Sequence, residues 1–68
     1  MDYRLKFKNL RNDNDLTQLD VAKLCSVTYK TVSHWENLRH DMPFDCIRKL
    51  CIYYRVSSDY IFDIPKFD

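Results

Sequence analysis

Tyr29, Lys30, Thr31, Ser33 and His34 place five hydrogen-bonding side chains in six consecutive residues. Val32, with Trp35 three residues on, breaks the polar run at helical spacing, so the two apolar residues share one face of a helix and the polar side chains are left around its exposed part. Phenol, ammonium, hydroxyl and imidazole groups donate to or accept from base edges and phosphate oxygens, the contacts a helix makes in the major groove of duplex DNA. The same residue types also make an ordinary solvated helix face, so types alone leave both readings open. Other chemistries find less support. Cys46 and Cys51 form one nearby thiol pair, but no second Cys or His pair stands at zinc-site spacing, and His34 and His40 lie outside it. No metal site is expected. No paired acids and no nucleophile beside a base are evident, and with no glycine in the chain there is no phosphate-cradling loop. Neither catalysis nor a cofactor or small-molecule ligand is expected of so small a chain.

Positioning that polar face requires short helices. Tyr3, Phe7 and Leu10 recur at helical spacing and predict a first helix over about 3–13, ended by the run Asn12-Asp13-Asn14-Asp15, whose short side chains compete for backbone hydrogen bonds. Thr17 is a predicted N-cap with Asp20 three residues on, opening a second helix near 18–25 with Val21, Leu24 and Cys25 inward. Ser26-Val27 interrupts it. Thr28 caps a third helix near 29–37, and so short a connection makes the two helices cross steeply. Pro43 suits the first turn of a fourth helix reaching about Arg55, with Phe44, Ile47, Leu50, Cys51 and Tyr54 as its buried face. Ser57 caps a fifth through Phe62, with Tyr60 and Ile61 facing in, and Pro65 makes the tail non-helical. The expected fold is all-α, a compact bundle of about five short helices.

The 68 residues make one small domain, and 46% hydrophobic with 15% aromatic content is ample for a core. Three cysteines cannot close a disulfide framework, and free thiols fit a reducing compartment. No signal peptide and no apolar run long enough to span a bilayer is present, so a cytoplasmic protein without membrane contact is expected. The net charge of +1 leans N-terminal: residues 1–40 carry seven Lys/Arg against five Asp/Glu, residues 41–68 four against five. That distribution permits nucleic-acid binding without demanding it.

The stretch TQLDVAKLCSVTYKTVSHWEN, Thr17 to Asn37, resembles the helix-turn-helix of the lambda-repressor-like (Xre/Cro-type) family. RLKFKNLRNDNDLTQ before it and PFDCIRKLCIYYRVSSDYIF after it resemble the same family, so the likeness covers nearly the whole chain. It implies one helix-turn-helix domain over residues 1–68 and a sequence-specific transcriptional regulator of double-stranded DNA, a repressor foremost. By this resemblance Tyr29, Lys30 and His34 match base-contacting positions. Thr17, Gln18, Thr28 and Asn37 match phosphate-contacting positions, with Arg39 or His40 adding to them from the loop, and Thr31 and Ser33, on the exposed part of the third helix, are further candidates for phosphate or other DNA contacts. Arg11 and Glu36 match a pair that forms a salt bridge in some relatives; read without the resemblance, they are a surface ion pair of small worth.

The sequence departs from the family pattern at Ser26 and Leu38, where glycine in the left-handed conformation is common, and at Cys25, which replaces a larger aliphatic. A different class of function stays open: a protein-interaction module, such as an antitoxin-type protein that binds a partner through the same fold. A single helix-turn-helix touches few base pairs, so a homodimer, formed in solution or only on DNA, is expected. Tyr60, Ile61, Phe62, Ile64 and Phe67 are more apolar residues than one short helix buries and are the expected dimer surface.

Overall fold

The computed structural model describes residues 1–65. Five helices follow in order: α1 (Tyr3–Asp13), α2 (Gln18–Cys25), α3 (Tyr29–Glu36), α4 (Phe44–Tyr54) and α5 (Ser58–Phe62). There is no strand among the described residues, and the fold is the expected all-α bundle. Side chains set four of the five starts. Asp2 accepts from the Arg4 N–H at 2.9 Å, Thr28 from Thr31 at 3.3 Å and Ser57 from Tyr60 at 3.1 Å. Thr17 and Asp20 form a reciprocal capping box, at 3.1 and 2.8 Å. Pro43 stands just before α4 rather than inside its first turn and caps it with no side chain.

The helix ends share one device. Asp15, Ser26, Leu38, Arg55 and Asp63 all have φ between 55° and 60°, and each directly follows or caps a helix end. After the first four, the next residue's N–H reaches back five residues to a helix carbonyl: Leu16 to Arg11, Val27 to Ala22, Arg39 to His34 and Val56 to Cys51, at 2.9–3.0 Å; Ile64 does the same to Asp59 at 2.9 Å. Glycine normally takes this left-handed position because a Cβ there costs roughly 1–2 kcal/mol. A chain without glycine bears that cost at every helix end. Ser26 and Leu38 are therefore left-handed, as their place in the family pattern suggested.

The core runs through all five helices: Phe7, Val21, Ala22, Cys25, Val32, Trp35, Cys46, Ile47, Leu50 and Ile61, with Met42 added from the α3–α4 loop. Ala22 is small where α2 meets α3, and these two helices make the closest pairing in the fold. Cys46 Sγ donates to the Cys25 carbonyl at 3.8 Å, and burial pushes the Cys25 thiol up to about 12, with Cys46 adding to the shift. Both thiols are packing atoms here rather than reactive ones.

Three expectations are corrected. Phe44 is 78% exposed: it has the spacing of the buried face, but at the first turn of α4 no other helix covers it. Ile61 is 0% exposed and is core, so it is withdrawn from the dimer surface. Tyr60 points out instead of in, with Lys6 Nζ lying 4.8 Å over its ring. Lys6 also donates to the Tyr60 carbonyl at 2.6 Å and pairs with Asp63, while Phe62 stacks on Tyr3 with ring centroids 5.2 Å apart. These contacts clasp α5 to α1. Phe67 lies outside the described residues.

Replacing Leu38 or Ser26 by glycine removes a strained Cβ and, after the larger unfolded-state entropy of glycine is deducted, should stabilise the fold by about 0.5–1 kcal/mol each. Thermal denaturation should show a midpoint several degrees higher for each variant. A lowered midpoint would mean that the side chain's own contacts outweigh the strain.

Candidate nucleic-acid interface

The site begins with α3. Its inner face is Val32, Trp35 and Glu36, all buried. Its outer face carries Tyr29, Ser33 and Asn37 along one line at spacing four, with Lys30 and His34 along the next. Tyr29, Lys30 and Asn37 are exposed, while Ser33 and His34 are half-buried. The hydrophobic pattern therefore leaves one continuous polar strip on the helix, as the sequence indicated.

Orientation of that strip depends on a charged contact at the back of the helix. Arg11 Nε and Nη2 donate to Glu36 Oε2 and Oε1 at 2.8 and 2.9 Å, a two-pronged pair. Arg11 Nη1 donates to the Leu16 carbonyl at 2.8 Å, and Gln18 Nε2 to Glu36 Oε1 at 3.1 Å. The side chains are only 13% and 8% exposed, so this is not a surface pair. The Glu36 hydrogen bonds push the Arg11 guanidinium up from its ordinary value against the opposing effect of burial. The end of α1, the start of α2 and the end of α3 meet at one carboxylate.

The other sequence-derived candidates divide by how their polar groups are already used. Thr17 and Thr28 are spent largely on capping, and Thr28 and Thr31 hydroxyls lie 3.1 Å apart. Hydrogen bonds from Thr17 hold the Asp20 carboxyl below its ordinary value. Asn37 Nδ2 donates to the Ser33 carbonyl at 2.8 Å and to Ser33 Oγ at 3.3 Å, fixing both side chains. One of Gln18's amide hydrogens goes to Glu36. Tyr29, Lys30, His34 and Arg39 make no side-chain hydrogen bond among the described residues, so their donors are uncommitted.

Sequence reasoning missed two residues that position the edge of the site. Arg4 Nη1 donates to the His40 carbonyl at 3.0 Å and lies 3.6 Å from Asp41. Tyr3 Oη accepts the Met42 N–H at 3.0 Å. Together they tie the α3–α4 loop to the first helix. Arg4 is 36 residues from His40 and carries no local signal.

A model of the family described as Helix-turn-helix matches residues 7–61, from the buried Phe7 through α5. The chain belongs to the helix-turn-helix family. Within it, the chain is of the lambda-repressor-like (Xre) kind, and α2 and α3 are the two helices of the motif. The helix-turn-helix family is one of DNA-binding regulators, which implies duplex DNA as a partner. No curated protein matches the chain, and no solved structure does. No helix among the described residues is long and apolar enough to cross a membrane.

Glu36→Gln leaves the part-buried Arg11 without its counter-charge and should destabilise the fold by about 2 kcal/mol. The double change Arg11→Met with Glu36→Leu should cost less than the two single changes added together, because no charge is then stranded. Chemical denaturation of the four proteins measures both. A loss below about 1 kcal/mol for Glu36→Gln would place the pair in effective contact with solvent.

Proposed function

We propose that the chain is a sequence-specific regulator of transcription, a repressor, that lays α3 in the major groove of double-stranded DNA. Residues 1–68 act as one DNA-binding unit in the cytoplasm. The observation that carries this is the outer face of α3, where Tyr29, Lys30 and His34 keep their donors uncommitted while the Arg11–Glu36 pair ties the back of the helix to α1. Groups that must read bases need spare donors on a fixed frame, and Lys30 and His34 have both.

In this reading the Lys30 ammonium donates to guanine O6 and N7, and the His34 imidazole donates to a second acceptor. Tyr29 packs on a thymine methyl or bonds a phosphate. Thr17, Thr28, Thr31, Ser33 and Asn37 set the register against the backbone, and Arg39 approaches it from the loop. The start of α2 presents backbone N–H groups to a phosphate beside Gln18. Its side chain acts mainly by holding Glu36.

A homodimer reading two half-sites about 34 Å apart supplies the specificity one unit lacks. Exposed Tyr60, Phe62 and Ile64 support this, together with an apolar groove of about 320 Å³ between α4 and α5 that includes Phe44, Ile52 and Phe62. The same groove favours the second reading, a module that docks a different protein. Phosphate contacts release counterions, so a DNA-binding regulator loses affinity steeply with salt, and an interaction module shows no such duplex binding.

Lys30→Ala should lose about 1–3 kcal/mol on a duplex selected from a random pool and much less on random duplex, while Asn37→Ala should weaken both about equally. Quantitative gel or anisotropy titrations separate the two patterns. Equal losses for Lys30→Ala on both duplexes would remove it from base reading. Sedimentation with a selected palindromic duplex should give two chains per duplex, and one chain at saturation would rule the dimer out.

A further inference from the structure

His34 and His40 are the two histidines of the chain, and the fold brings them together. Their ring centroids lie 5.1 Å apart with 57° between the planes. The approach is built rather than incidental. Leu38 in the left-handed conformation reverses the chain after α3, and the Arg39 N–H closes on the His34 carbonyl at 2.9 Å. Arg4 then holds the His40 carbonyl at 3.0 Å from α1. The outcome is an exposed imidazole from the loop set against a half-buried one on the reading strip. Neither ring has a hydrogen-bond partner among the described residues.

The charges around the pair are few. On α3, Lys30 stands one turn before His34. In the loop, Arg39 and Asp41 flank His40. From α1, the Arg4 guanidinium faces the loop and is shared between Asp2, at 2.8 Å, and Asp41, at 3.6 Å. Glu36, the acid of α3, is buried on the opposite face and held by Arg11. No carboxylate among the described residues is hydrogen-bonded to either ring, Asp41 beside His40 being 91% exposed and 3.6 Å from Arg4, and two like charges at the separation of the rings oppose each other. An acceptor on DNA changes that balance, because a protonated imidazole donates from both nitrogens and a neutral one from a single nitrogen.

We propose that His40 is a DNA-contacting residue that acts with His34 as a two-imidazole element, taking up one proton when the domain binds DNA. This rests on the DNA-binding reading. The chemistry recognised is a lone-pair acceptor on the duplex, either guanine O6 and N7 or a phosphate oxygen. The proton comes from solvent and sits on one ring, which donates to the DNA acceptor, while the second ring stays neutral beside it. Loop and helix then read the duplex as one unit, and affinity follows pH.

The test is the affinity of the full chain for a selected and a random duplex at pH 6, 7 and 8 and constant ionic strength. Binding calorimetry in buffers of different ionisation enthalpy counts the protons taken up. The expected result is binding that tightens as pH falls, approaching about tenfold per pH unit where uptake of one proton is complete. His34→Gln and His40→Gln should each weaken the dependence, and the double variant should abolish it. Unchanged thermal midpoints confirm that the variants fold, and calorimetry on the unaltered protein needs no variant at all. Dependence confined to the selected duplex supports a base acceptor, and dependence on both duplexes supports a phosphate. Binding that ignores pH, or a dependence that survives in the double variant, overturns the proposal alone. No binding to any duplex at any pH overturns the DNA reading and this proposal with it.

Discussion

The buried contact between Arg11 and Glu36 is the constraint on which the remaining structure turns. An ion pair removed from water is stable only when its geometry is good and its remaining hydrogen-bonding capacity is used. Here both conditions hold: the guanidinium binds the carboxylate with two prongs and spends a third donor on the Leu16 carbonyl, while Gln18 adds a donor to Glu36. Each partner sits on a different helix, and Leu16 and Gln18 bracket the start of α2. The contact can form only when α1, α2 and α3 have reached one relative arrangement. Apolar packing through Ala22, Val32 and Trp35 supplies attraction with little directionality, and the ion pair supplies the direction. The strip of α3 that faces outward is the consequence.

Around that fixed point the chain carries backbone strain. Five non-glycine residues occupy the left-handed region at or after helix ends, and they are unequal in how well they tolerate it. Aspartate, at positions 15 and 63, tolerates this region better than leucine and arginine do. The turns persist because they close backbone bonds and because the apolar residues that follow two of them, Val27 and Val56, pack onto the core. The short α2–α3 connection and the anchored α3–α4 loop both depend on this device, so the strain sits on either side of the reading helix. Tight reversals at those points keep the loop close enough for Arg4 to hold it.

Much of this was legible in the residues. The bounds of α1, the caps Thr17, Thr28 and Ser57 and the inward Trp35 follow from local chemistry, which acts over a few residues and leaves a pattern at that range, while the left-handed Ser26 and Leu38 were suggested by the family resemblance. What escaped is set at long range. Phe44 has the right spacing for the buried face of α4, yet at the first turn no other helix reaches over it. Tyr60 and Ile61 are adjacent on a helix of five residues, too short for periodicity to tell which one turns in. Arg4 leaves no mark near His40, since only the folded chain brings them together. Arg11 and Glu36 were paired through family resemblance, and their burial became apparent only once three helices surrounded them.

The central claim is that the outward strip of α3 meets duplex DNA while the α4–α5 groove does not. Backbone amide chemical-shift mapping of the labelled chain during titration with a selected duplex tests this most directly. On a duplex that carries a single half-site, filled by one chain, the large shifts should fall on Tyr29, Lys30, Ser33, His34, Asn37 and the following loop, with the start of α2 responding and Phe44, Ile52 and Phe62 unmoved. Shifts concentrated on α4 and α5, with α3 silent, would contradict it.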